Sequence, residues 1–180
     1  KCHPELRVAS DHDGPTKAFI AGYITHLTAD ENWIANMYRP YFGNLDKFPN
    51  ETEGHVMDRA LQLELDQQCW STIDQTLETL NRSTEEIRLR FIQPDALLEW
   101  RKWVTNHLGK GFSWERLRFM AKRIAAGKEE HLAHTLANNV LNDVLGSMDN
   151  LRQTVPEQRI SLFKKHTLGS VVKAVDSYLE

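Results

Sequence analysis

The fifteen residues from Phe19 to Trp33, FIAGYITHLTADENW, decide how the chain folds. Phe19, Tyr23, His26, Asp30, Trp33 and Met37 recur at steps of 4, 3, 4, 3 and 4, which is one stripe of an α-helix. Apart from His26 and Asp30 the stripe is aromatic or apolar, so the spacing predicts that it faces a core. Leu27 and Ile34 widen it. Gly22, one turn before His26, leaves room for a neighbouring backbone or a ligand, at about 1 kcal/mol relative to alanine.

Working outward, helical periodicity continues almost throughout. Asp13-Gly14-Pro15 reads as a helix start, with Asp13 as N-cap and Pro15 in the first turn. Arg39-Pro40 is expected to end that helix, and 41–54 reads as a loop. A second long helix is predicted over 53–81, with Leu61, Leu65, Cys69, Ile73, Leu77 and Leu80 on its stripe. Ser83-Thr84-Glu85-Glu86 has capping-box spacing. Pro94-Asp95 opens another helix, which stops near Gly109, and Ser113 caps the next, up to Gly127. One helix is expected over 128–151, and a last one from Pro156 to the end. No run alternates with period two. The chain reads as a single all-α domain, residues 1–180, a bundle of six to seven helices.

Composition agrees with a globular chain. Of 180 residues, 41% are hydrophobic and 26% charged, enough for one sizeable core. A net charge of −3 offers no footprint for a nucleic-acid backbone. No apolar run reaches the ~20 residues of a membrane span, and no signal peptide is visible. Cys2 and Cys69 are too few for a disulfide framework, and Cys69 reads as a small core residue. This usage leans towards a cytoplasmic protein. The five tryptophans fall mostly on apolar stripes and read as core; an exposed Trp100/Trp103 pair would instead indicate a partner or lipid surface.

The chemistry concentrates on His26 and Asp30. A buried carboxylate must be paired, hydrogen-bonded or bound to a cation. At i, i+4 the imidazole and the carboxylate can reach one point, as helices present two ligands to Zn²⁺. A His–Asp hydrogen bond inside the bundle satisfies the same requirement. His55 and Asp58, at i, i+3 near the start of the second long helix, form another pair, with Asp66 two turns on. Asp11-His12-Asp13 is dense in donor types, as is His3 nearby, although Asp13 is better explained as a cap. Glu130, His131 and His134 share a helix edge, which a solvated face also explains. His107 and His166 are read as complements to helix C-termini. Glycine-rich phosphate loops, GxSxG, HExxH and CxxC are absent from the sequence.

The segment AFIAGYITHLTADENW, Ala18 to Trp33, resembles the zinc-dependent phospholipase C family, an all-helical family whose Gly-aromatic…His-Leu-x-x-Asp helix binds zinc. The likeness runs through IANMYRPYF to Phe42 and more faintly into HVMDRALQLELD, giving a motif region of 12–66; helices over 83–180 complete the bundle. The resemblance implies that His26 and Asp30 are zinc ligands, with His55, Asp58 and His12 as candidate further ligands. It departs at Arg59, where the family has an acid four residues after its later histidine. The family's upstream ligands have only His3, Asp11 and His12 as counterparts. The implied activity is metal-assisted hydrolysis of a small-molecule or lipid phosphoester, with Asp30, Asp58 or Asp66 accepting the proton of the attacking water. The competing expectation is a non-catalytic binding domain in which His26 and Asp30 form a buried hydrogen-bonded pair.

Overall fold

A computed structural model describes residues 6–82 and 88–180. Cys2, His3 and the Ser83 capping box lie outside the described residues. Regular structure among the described residues is helical throughout, as the periodicity predicts. A 3-10 turn, Ala9–Asp11, precedes α1, Gly14–Trp33, which continues as a π-helix over Ile34–Phe42. α2, Glu51–Cys69, passes through a 3-10 turn, Trp70–Thr72, into α3, Ile73–Arg82. There follow α4 (Pro94–Gly109), α5 (Arg116–Ile124), α6 (Leu132–Asn142), α7 (Val144–Thr154) and α8 (Glu157–Leu179). Among the described residues no helix is long and apolar enough to cross a membrane.

Side-chain caps set the starts of α1, α2, α6 and α7. Asp13 Oδ1 accepts from the Thr16 N–H at 2.9 Å, as its sequence context predicts. Asn50 Oδ1 accepts from the Glu53 N–H at 2.9 Å and starts α2. The helix expected over 128–151 is divided: Asp143 leaves helical geometry and its Oδ1 accepts from the Gly146 N–H at 2.9 Å, ending α6 and starting α7. His131 caps α6 through Nδ1, which accepts from the Ala133 N–H.

Pro40 does not end the first helix, contrary to its sequence reading. The chain widens into π register, and the Gly43 N–H donates to the Tyr38 carbonyl five residues back at 2.8 Å. A wider turn gives the pyrrolidine ring room that an α-turn denies it.

The chain divides into two compact units. One comprises Trp33–Ile73 and Gly111–Leu162. Within it α2 packs on α5, α6, α7 and the π-helix, and α5 packs on α6. Met37, Phe42, Val56, Leu61, Leu63, Leu117, Val155 and Ile160 are fully buried there. Each such side chain contributes about 1.5–3 kcal/mol relative to exposure. Ala60, Ala121, Ala133 and Ala137 are equally buried, and their small side chains let the helices approach closely. Arg152 of α7 pairs with Glu64 of α2 and, at 3.0 Å, with Glu157.

The other unit comprises Lys1–Asn32, Asp74–Lys110 and Phe163–Glu180. Among its described residues, those buried are few: Ala9, Thr16, Ile20 and Leu89. Trp100 and Trp103 of α4 are 59% and 61% exposed, so they are surface residues rather than core. Cys69, at the polar end of α2 after Asp66-Gln67-Gln68, is likewise an exposed free thiol and not the predicted core residue.

Candidate functional site

α1 presents its candidate pair outward. His26 Nε2 lies 3.4 Å from Asp30 Oδ2, and the side chains are 66% and 58% exposed. The predicted burial of this stripe is therefore corrected over its first half, while Met37, beyond the change to π register, is buried. The physical reason is that α1 is apolar on several sides. Its buried line runs through Thr16 and Ile20, roughly a quarter turn from the mean direction of Phe19, Tyr23, His26 and Asp30 at 100° per residue. Tyr23 and Leu27 flank the pair and are exposed with it.

Asp58 is the buried carboxylate. It is 2% exposed on α2, and both oxygens are engaged. The Trp33 indole N–H donates to Oδ1 at 2.8 Å, and the Gln62 amide donates to Oδ2 at 3.0 Å. Arg59 Nε approaches Oδ2 at 3.7 Å. Burial raises the Asp58 pKa above its ordinary value, against the opposing hydrogen bonds and the charges of Arg59 and His55. The stripe thus delivers Trp33, rather than His26, to this carboxylate.

His55 sits one turn earlier on α2, and its Nε2 lies 2.5 Å from the Tyr38 hydroxyl. Burial, reinforced by the negative charges of Asp58 and Glu51, raises the Tyr38 pKa. The phenol therefore keeps its proton and shares a short hydrogen bond with Nε2. Glu51 lies 3.7 Å from the same nitrogen but is 76% exposed, so the short Tyr38 contact governs the ring. The π-helix makes this pairing possible by carrying Tyr38 alongside the first turn of α2.

The predicted residues thus occupy three places. His26 and Asp30 are together on α1; His55 and Asp58 share α2 with partners of their own. His12 lies in the turn before α1, beside a cleft lined by Arg88 and Arg90. Among the described residues no group of three or more His, Cys, Asp and Glu side chains converges as a metal site. His131 and His134 are held locally, by the α6 cap and by contact of His134 Nε2 with the Lys128 carbonyl at 3.1 Å. His107 stacks on Trp103, and His166, in the middle of α8 rather than at its end, lies 3.3 Å from Asn32.

Sequence reasoning missed Trp33 as the donor to Asp58, Tyr38 as the partner of His55, and the two arginines near His12. The last left a signal in Arg88-Leu89-Arg90, where an apolar residue separates two cations. Comparisons with protein-family models, with curated proteins and with solved structures find no match to this chain.

Proposed function

We propose that the chain is a metal-dependent phosphoester hydrolase, with zinc as the metal and His26 and Asp30 as its ligands. The supporting observation is the placement of an imidazole nitrogen and a carboxylate oxygen 3.4 Å apart on an open helix face. The pair supplies two of the three protein ligands that a catalytic zinc site uses, and among the described residues no third His, Cys, Asp or Glu joins it. Zinc held there supplies a water of lowered pKa and offsets charge on phosphoryl oxygens. His26 would offer the metal a ring nitrogen and Asp30 a carboxylate oxygen, with Asp30 the candidate acceptor of the water's proton. The hydrogen-bonded oxygens of Asp58 fit it to hold Trp33 and Gln62 in place.

Hydrolysis of a chromogenic phosphodiester by the zinc-supplemented chain tests the reading. The rate is expected to fall at least about 100-fold in His26→Ala, Asp30→Asn or excess chelator. Activity that survives all three would overturn it.

A second reading, a non-catalytic all-α binding domain, draws support from the exposed Trp100 and Trp103. It predicts no zinc-dependent turnover and wild-type stability in His26→Ala, because the pair is exposed rather than buried.

A further inference from the structure

The segment after the α3 region crosses the surface as Arg88-Leu89-Arg90. Leu89 is 5% exposed and anchors it. Arg88 and Arg90, on either side of Leu89, are both exposed. Both line a cleft of about 640 Å³. Its other wall is the Ala9–Asp11 turn and the start of α1, fixed by buried Ala9 and Thr16. His12 borders the cleft, and its Nε2 is buried without a hydrogen-bond partner. Phe91 and Leu6 add an apolar side; the Phe91 ring meets Phe19 edge-on at 5.8 Å.

Charges in the cleft are unequally committed. The Asp13 carboxylate is engaged by Thr16, whose hydrogen bonds, with Arg90 and His12 nearby, hold its pKa below the ordinary value. Asp11 is exposed and accepts from the Ser10 hydroxyl at 3.3 Å. Neither Arg88 nor Arg90 forms an ion pair with a described residue. Two guanidinium groups lining one cleft, each with a planar fork of donors, suit the oxygens of a phosphoryl group.

We infer that this cleft binds a phosphoryl anion, held by Arg88 and Arg90 beside His12, with Phe91 and Leu6 receiving an apolar substituent. Thr16 precedes His26 by ten residues, about 15 Å along the α1 axis, so this site is separate from the proposed metal pair and does not depend on it. Free phosphate and a phosphate monoester share the recognised chemistry.

Calorimetric titration of the whole chain with inorganic phosphate and with phenyl phosphate tests the inference. Saturable binding is expected, weakened at least tenfold in Arg88→Gln/Arg90→Gln and strengthened severalfold in Asp11→Asn, which removes the opposing charge. The melting temperature without ligand should stay unchanged in both, and binding should persist in His26→Ala. Tighter phenyl phosphate binding assigns the cleft to a monoester; equal or weaker binding assigns it to free phosphate. Absence of saturable binding for both ligands, or binding unaltered in the double-arginine variant, would overturn the site.

Discussion

Gly54→Ala is expected to destabilise the chain by about 3 kcal/mol, measured by denaturant unfolding. A Cβ at residue 54 would stand 2.1 Å from the Phe42 carbonyl oxygen and 3.2 Å from its carbon. Both are backbone atoms, so no rotamer change relieves the clash. α2 and the end of the π-helix would have to separate, opening the packing around Phe42 and Phe48, whose rings stack at 5.8 Å. The helix-propensity gain of alanine, about 1 kcal/mol, only partly offsets this. Gly22→Ala is the control. Nothing lies within 4 Å of a Cβ there, so this substitution should stabilise α1 by up to about 1 kcal/mol. Equal effects at the two positions would contradict the packing described.

Asp58→Ala should cost about 2–3 kcal/mol, because it deletes a buried acceptor used by the Trp33 indole and the Gln62 amide. Asp58→Asn keeps an acceptor for Trp33, and a flipped Gln62 amide satisfies the other side only by giving up the exposed bond from Arg59 Nη1 to its Oε1; the loss should be nearer about 1 kcal/mol. The two variants also differ in pH behaviour from the native chain. Burial raises the Asp58 pKa above 3.8, so the folded state holds its proton more tightly than the unfolded state does. That contribution to stability is complete below pH 3.8 and is lost as pH rises through the folded-state value. Relative to Asp58→Asn, the native chain should therefore be most stable in acid and lose that advantage towards neutrality. An advantage that grows with pH would mean that the carboxylate, not the acid, is the favoured buried form.

These two sites show where the sequence was readable. Helix starts were legible at Asp13-Gly14-Pro15 and Pro94-Asp95, because caps and proline act within one turn. The same local chemistry was present in Asp143-Val144-Leu145-Gly146, yet the continuous apolar pattern on either side masked the break between α6 and α7. Orientation was harder. α1 spreads Phe19, Ile20, Ile24 and Leu27 over an arc of about 140° at 100° per residue, so the stripe through His26 competed with the line through Thr16 and Ile20. The change to π register beyond Trp33 then altered which residues meet α2. It brought Tyr38 to His55, a contact that no α-helical spacing indicates. Periodicity assumes a uniform rotation per residue, and that assumption fails at Ile34–Phe42. The pair at His26 and Asp30 was legible as a pair, since i, i+4 spacing fixes its geometry whichever way the helix faces.

Direct zinc titration of the metal-stripped chain, read by calorimetry and elemental analysis, tests the proposed function most directly. About one equivalent of zinc should bind, and His26→Ala and Asp30→Ala should each abolish binding without lowering the melting temperature of the metal-free protein. Zinc binding that is absent from the native chain, or that persists undiminished in both variants, would contradict the assignment of His26 and Asp30 as metal ligands.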